Sequence, residues 1–335
     1  MPTTNYAGLS QRTTYWAMTE HLKHAEPIAV LSKYGMSKPV PKNKAESVKF
    51  RRPVPLELAK TPLTEGSAPT SKALQYEDVT VTLDQYGDVV ELTDKVQDLA
   101  EDPVLKDATE LTGEQSGETI ESLMWGILRG GTNVHYANGS ARGDVNTVIS
   151  LGKQRAITRA LKSERAKKVT TMVSSSVKYG TEAIDAAFIG VAHTHLEADI
   201  RDMPGFVPTE KYGSMKPLPY EIGKVEDVRY VLTPVLEPFE DVGGDPTTNG
   251  VVTTSGGSPG QADVYPIVYF GKDAYGHIAL KGKEAVEMKI RQPGQIDSND
   301  KLGQIGWVGW KTWWKGFRAN EAWMARLEVA ASDLA

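Results

Sequence analysis

Between Glu46 and Gly131 two segments of strand character flank a tip rich in turn formers and run directly into one long helical pattern, a layout that implies no pocket. In the first segment, Ser47 to Leu56, the apolar residues Val48, Phe50, Val54 and Leu56 fall two apart with basic groups between them, which gives one dry face and one wet face. The second, Asp78 to Thr93, sets Val79, Val81 and Leu83 against Thr80, Thr82 and Asp84. Lys60 to Thr70 lies between them and carries Pro62, Gly66 and Pro69. Together they predict an extended two-stranded arm. Pro53 and Pro55 remove ladder donors, so the first strand is an edge or is interrupted. A lone ribbon is marginal in water, and its missing contacts are expected on another molecule.

The helix that follows has Asp102 as a suitable N-cap and Pro103 as a suitable first residue. Val104, Leu105, Ala108, Leu111, Ile120, Leu123, Met124, Ile127 and Leu128 recur at spacings of three and four, and Gly130-Gly131 stops the pattern. The span 103–130 gives roughly 28 residues and about 42 Å. Gly113 and Gly117 inside it each cost about 1 kcal/mol relative to alanine, so a neighbour is expected to pack close to that face. An ordinary core helix would show the same periodicity.

A series of short matches runs through the chain in order: Leu63-Thr64-Glu65-Gly66, Gln85-Tyr86-Gly87 with Thr93-Asp94, Gly131-Thr132-Asn133-Val134 with Tyr136-Ala137, and Asp199-Ile200-Arg201-Asp202 with Gly205-Phe206. It continues through Glu221 to Val225, Arg229-Tyr230, and Gly306-Trp307-Val308-Gly309-Trp310-Lys311. In their order and spacing these segments resemble the major capsid proteins of N-four-like tailed phages. The resemblance implies an α+β chain with the Hong Kong 97 capsid fold. Residues 1–45 would then be the N-terminal arm, 46–86 the E-loop, 87–150 and 289–335 a peripheral P-domain with its spine helix at 103–130, and 151–288 an axial A-domain with a flexible loop at 241–263. It also implies self-assembly into an icosahedral shell of pentamers and hexamers around a double-stranded DNA genome. The expected partners are further copies of the chain, a portal, decoration or scaffolding proteins, and packaged DNA through non-specific contact. The expected location is the virion capsid, assembled in the host bacterial cytoplasm. The residues assigned to the subunit contact are those of the E-loop tip, Pro62, Leu63, Thr64, Glu65 and Gly66. An encapsulin-like shell enclosing an enzyme cargo is the alternative on the same fold.

Composition narrows the chemistry. At 335 residues the chain exceeds the size at which a single core stops growing, and two lobes are expected. It has no cysteine, so disulfides, thiol nucleophiles and cysteine-ligated metals are excluded. A net charge of −5 argues against a dedicated nucleic-acid-binding module. No apolar run reaches the length of a membrane span, and no signal pattern opens the chain, so no membrane role is expected.

Elsewhere, Thr13 to Tyr34 reads as an amphipathic helix and Ser37 to Lys44 as a linker. Leu151 to Lys168 is a second helical pattern, unusually basic, with Lys153, Arg155, Arg159, Lys162, Arg165, Lys167 and Lys168 against Glu164 alone. It reads either as a face turned toward DNA or an acidic neighbour, represented by Lys153, Arg155, Arg159 and Lys162, or as a merely solvated face. Glycines and prolines between Asp241 and Asp263 predict a flexible loop. Trp307, Trp310, Trp313, Trp314 and Trp323 crowd one end and read as a core or an interface centre. The alternation from Trp323 to Val329 predicts a strand paired with Ile305 to Trp314.

Catalytic signals are weak. His193-Thr194-His195 with Glu197 and Asp199 could present metal ligands for a metal-dependent enzyme, but a strand is expected to end and a helix to begin inside the motif, which breaks the geometry. No phosphate loop, dinucleotide fingerprint, HExxH or GxSxG occurs. Ser174 to Ser176 lack a partnered base, Arg142-Gly143-Asp144 is only a short coincidence, and Asp297 to Asp300 lack the glycine and glutamate of a calcium loop. The expectation is a non-enzymatic chain without cofactor.

Overall fold

The hydrophobic repeats resolve into two sheets bridged by one helix. The structure is a computed structural model, and it describes residues 30–41, 46–54, 56–60, 62, 66, 71–95, 104–173, 181–213, 216–246, 250–254, 260–280, 286–292 and 300–334. In chain order these hold α1 (Leu31–Tyr34), β1 (Met36–Val40), β2 (Ser47–Pro53), β3 (Tyr76–Thr82), β4 (Asp84–Thr93), α2 (Val104–Arg129), β5 (Val134–Tyr136) and α3 (Leu151–Ser163). Then come β6 (Val169–Val173), β7 (Thr181–Ala192), α4 (Glu197–Arg201), β8 (Phe206–Pro208), β9 (Glu221–Val225), β10 (Val228–Leu232), β11 (Tyr265–Phe270), β12 (Tyr275–Leu280), β13 (Val286–Arg291), β14 (Ile305–Arg318) and β15 (Met324–Val329).

The larger sheet runs β5-β15-β11-β7-β10-β9-β8, with β6 beside β7. Its central strands are buried on both faces, which is why β10, β11 and β15 read as nearly continuous apolar runs. Phe188, Tyr230, Tyr269 and Leu327 point to one side, where Ile157 and Leu161 of α3 cover them. Ile189, Val191, Val231, Val268 and Phe270 point to the other, where Met124, Trp125 and Leu128 of α2 close over them.

The smaller sheet is built on β14, whose 14 residues pair with β4 along one edge and with β13 and then β12 along the other. Even-numbered positions of β14 are buried under α2: Val308 joins Leu92, Ala108, Leu105, Met288 and Ile290, and the Trp310 indole N–H donates to Gln115 Oε1 at 3.1 Å. Helix α2 therefore lies along the smaller sheet from Leu105 and Ala108 at Val308 to Met124 and Ile127 at Trp314 and Gly316, and its second half closes over the larger sheet as well.

The buried stripe of α2 differs from the periodic reading. It continues through Thr109, Thr112, Gly113, Ser116 and Gly117, while Leu111 is 63% exposed. Small residues let the sheet approach, and the hydroxyls are satisfied within the helix: Thr112 donates to the Ala108 carbonyl at 2.7 Å and Ser116 to the Gly113 carbonyl at 2.8 Å. Asp102 and Pro103 lie outside the described residues.

Four further expectations are corrected. The segment from Asp78 to Thr93 is two strands, because the chain bends at buried Leu83 and β4 leaves the ribbon to join β14. Overlapping the linker expected at Ser37 to Lys44, Met36–Val40 is an edge strand parallel to β12, a position where Pro39 costs no ladder bond that the sheet needs. Strand β15 does not pair with β14; it lies between β11 and β5, since six consecutive buried residues fit a two-sided core and not a sheet with an open face. The described parts of 241–263 are tied down: Gly243 donates to the Ala262 carbonyl and Val252 to the Ala331 carbonyl. Glycine at 243 serves close approach, since a Cβ there would meet the Val145 oxygen at 2.4 Å. For the predicted helix at Thr13–Tyr34, only its last turn falls within the described residues.

Trp125 is 2% exposed and its indole N–H donates to the Glu237 carbonyl at 3.2 Å, so it ties α2 to the larger sheet's lobe. Trp125→Ala is expected to lower the unfolding free energy by about 3–5 kcal/mol, measured by urea denaturation followed through the remaining tryptophans.

Candidate assembly surfaces

The ribbon is the first candidate. Strands β2 and β3 pair antiparallel from Ser47↔Thr82 to Pro53↔Tyr76 as a separate two-stranded sheet. Its root is anchored: Phe50 stacks on Phe317 with centroids 4.3 Å apart, and Val48, Val79 and Val81 pack with Val40, Leu83 and Ile278. Toward the tip it has little to bury against. Leu56, Leu58, Leu74 and Tyr76 are each more than half exposed, and the strands are held by surface ion pairs, among them Arg51 to Asp78 at 2.8 Å and Lys72 to Glu57 at 2.8 Å. The Arg51 hydrogen bond holds the Asp78 carboxyl below its ordinary value. Exposed pairs of this kind contribute little stability, so they fix register more than they hold the ribbon up. Of the tip residues, Pro62 and Gly66 are exposed, Gly66 with φ +77° and open space around it, while Leu63, Thr64 and Glu65 lie outside the described residues.

The second candidate is the open face of the smaller sheet. Odd-numbered positions of β14 and their partners on β4 place Ile305, Trp307, Trp313 and Val89 there, with Lys311 bridging to Glu287 at 3.0 Å. Among the described residues the ribbon packs on this face near Phe317, and Trp313 is 38% and Val89 53% exposed. The tryptophan cluster is thus divided: Trp310 and Trp314 are core, and Trp313 is surface.

The basic helix α3 is less free than its sequence implies. Arg155 donates to Glu226 at 2.9 Å, Lys162 bonds Asp227, and Lys168 lies 2.9 Å from the same Asp227. Both acids belong to the tight turn between β9 and β10, and these partners hold their carboxyls below the ordinary range, Arg155 acting on Glu226 and Lys162 first on Asp227. Lys153 donates to the Tyr136 carbonyl at 2.8 Å. Arg159 is exposed and has no ion pair among the described residues. No local pattern could have revealed this, because the acids are more than sixty residues away.

The histidine motif does not converge. Strand β7 ends at Ala192 and α4 starts at Glu197, as the sequence predicted. His195 Nδ1 sits 2.8 Å from the Tyr265 hydroxyl, Glu197 accepts from Arg201 at 2.8 Å, and Asp199 accepts from the Ser332 amide at 3.0 Å. Burial, with His195 adding to it, lowers the His193 pKa to about 4. Among the described residues no group of three or more His, Asp or Glu could hold a metal ion. Arg142, in the RGD triplet, is a structural clamp: it donates twice to fully buried Glu328 at 2.8 Å and lies over Phe239. Ser174 to Ser176 fall outside the described residues, and Asp300 accepts from the Ile305 amide.

A family model described as phage capsid protein matches residues 76–319, well over half of the chain. The chain belongs to the phage capsid protein family. Solved structures agree in fold. The capsid of Ralstonia phage GP4 is 14% identical, with 90% of this chain and 88% of that one covered at a TM-score of 0.65. The capsid of cyanophage Pam1 is 12% identical over 99% and 96%, at a TM-score of 0.59. An encapsulin complex from Synechococcus elongatus is 11% identical over 89% and 86%, at 0.51. None of the curated proteins matches in sequence. The protein is a major capsid protein with the Hong Kong 97 fold, and the α+β architecture expected from sequence is the one found.

Removal of the Phe50 ring should free the capsid protein's ribbon at its root. Phe50→Ala is expected to speed proteolytic cleavage between Val54 and Gln75 several-fold while leaving the melting of the two-sheet body within a few degrees, as read by timed proteolysis with mass spectrometry.

Proposed function

We propose that copies of this capsid protein close into an icosahedral shell of pentamers and hexamers around the double-stranded DNA of a tailed phage, with each ribbon lying over a neighbour's α2. The observation that carries the proposal is the ribbon itself, firmly rooted at Phe50 and bearing leucines that its own chain leaves exposed. A surface anchored at one end and apolar at the other fits a reciprocal contact between identical subunits. The arm ahead of Val30 and the ribbon from Ser47 to Thr82 act as adaptors between slightly different environments, while the two-sheet body, into which the described parts of 241–263 are bonded, stays rigid. The tip residues Pro62, Leu63, Thr64, Glu65 and Gly66 reach the neighbouring copy. Many modest contacts suffice, because a closed symmetric object makes all of them at once.

The role is structural, not enzymatic, and needs no cofactor. A portal and decoration or scaffolding proteins complete the particle, which assembles in the host cytoplasm and has no membrane partner. Packaged DNA is met without sequence preference through the face of Lys153, Arg155, Arg159 and Lys162, where Arg155 and Lys162 are paired with acids, Lys153 is held by the Tyr136 carbonyl, and Arg159 has no ion pair among the described residues. The encapsulin fold is similar, yet the family match favours the phage shell.

Deletion of Lys60 to Thr70 tests this directly. The variant should remain soluble with an unchanged circular dichroism spectrum and form no shells by negative-stain microscopy; shells of normal size, or an unfolded variant, would contradict the separation of ribbon from body. Arg159→Glu is expected to cut the yield of DNA-filled particles about tenfold and leave empty shells within twofold. Equal loss of both would place Arg159 in a protein contact.

A further inference from the structure

Glu121, in the second half of α2, is fully buried and faces the first turn of the described chain. Its Oε2 accepts the Leu31 N–H at 2.8 Å; its Oε1 accepts the Ser32 N–H at 3.3 Å and lies 3.4 Å from the Ser32 hydroxyl. From another element, the Tyr275 hydroxyl of β12 donates to the Leu31 carbonyl at 2.7 Å. Leu31 is thus gripped at both backbone groups by side chains, and its own side chain sinks among Met124, Trp125 and Leu128. Helix α1 has only four residues, far too few to hold itself together, so this grip is what sets the root of the N-terminal segment.

We propose that Glu121 is a proton-sensitive clasp, which holds residues 30–34 against α2 more tightly as a neutral acid than as a carboxylate. The groups that face it are Ser32 and Tyr34 from α1 and Tyr275 from β12, and among the described residues no lysine or arginine pairs with it. An anion in that pocket has backbone N–H groups but no cation to offset its lost hydration. As a neutral acid it keeps an acceptor for the Leu31 N–H and can donate to the Ser32 hydroxyl.

Burial raises its pKa from an ordinary 4.5 to about 6, against the pull of the Leu31, Ser32 and Val30 amides. Burial also pushes both phenols far up, out of the physiological range. When the root lifts, the carboxyl returns to water and to its ordinary value. Docking is therefore complete below the ordinary carboxyl pKa and is lost as pH rises through the raised one. The linkage weakens it about eightfold from pH 5 to pH 7.5. The clasp lies within one chain and stands whether or not the ribbon contacts a neighbour.

The test is hydrogen exchange of the peptide spanning Leu31 to Tyr34 in the full-length protein, normalised to intrinsic rates at each pH. The wild-type protection factor should fall about eightfold between pH 5 and pH 7.5. Glu121→Gln, which keeps the shape and cannot ionise, should abolish that fall, and Tyr275→Phe should lower protection at both pH values without changing their ratio. Exchange across β7 and β11 checks that each variant keeps its core. A wild-type protection factor independent of pH, or a Glu121→Gln protein with an undiminished pH dependence, would overturn the clasp.

Discussion

The close approach of α2 to β14 is the contact on which the remaining structure depends. A Cβ at Gly316 would lie 2.9 Å from Ile127 Cδ1 and 3.1 Å from Met124 Sδ, so helix and strand meet with nothing to spare. Because one helix covers parts of both sheets, their relative position is set by side-chain packing along a single rod of 26 residues. Loss of packing along the second half, which touches both, would free one sheet from the other. The hydroxyls buried along the rod cost little, being satisfied by their own helix, and they permit a closeness that a stripe of leucines would prevent.

The chain crosses between sheets in very few residues. Strand β14 ends at Arg318, and both Ala319 and Asn320 donate their amides to the Ala274 carbonyl, at 2.9 and 3.0 Å. The Asn320 side chain then caps the turn at Ala322, and β15 begins at Met324. Ala274 immediately precedes β12, so one carbonyl fixes the point where both sheets part. Asp199, which sequence reading set aside as an uncommitted ligand, performs a related task by holding Ser332 against the larger sheet's lobe.

Much of this was legible locally. Alternation from Val48 to Phe50 and from Val79 to Val81 marked the ribbon, and spacings of three and four marked α2 to within a residue or two. What failed to show were long-range facts. Strands β14 and β15 are adjacent in sequence and both aromatic or apolar, but continuous burial, not adjacency, decided the sheet that β15 joins. The charges of α3 looked uncompensated because Glu226 and Asp227 are distant in sequence. Glu121 carries no local signal of its burial, since an acid on an amphipathic helix ordinarily faces solvent. The order of short matches spanning the chain supplied the function, which no single residue pattern could.

A subunit of a closed shell faces a physical tension: it must be stable alone, or it would misassemble, yet its contacts must stay weak enough to correct errors. This chain separates the two demands in space. Stability resides in sheets buried on both faces and in charge pairs closed within the chain, such as Arg142 with Glu328. Exposed apolar groups are concentrated on a ribbon and on part of one sheet face, away from that core. The ribbon's ion pairs lie at the surface and fix its register while adding little stability. Had the leucines of the ribbon been folded onto the body, the protein would have gained stability and lost the exposed apolar surface on which the proposed contact between copies rests.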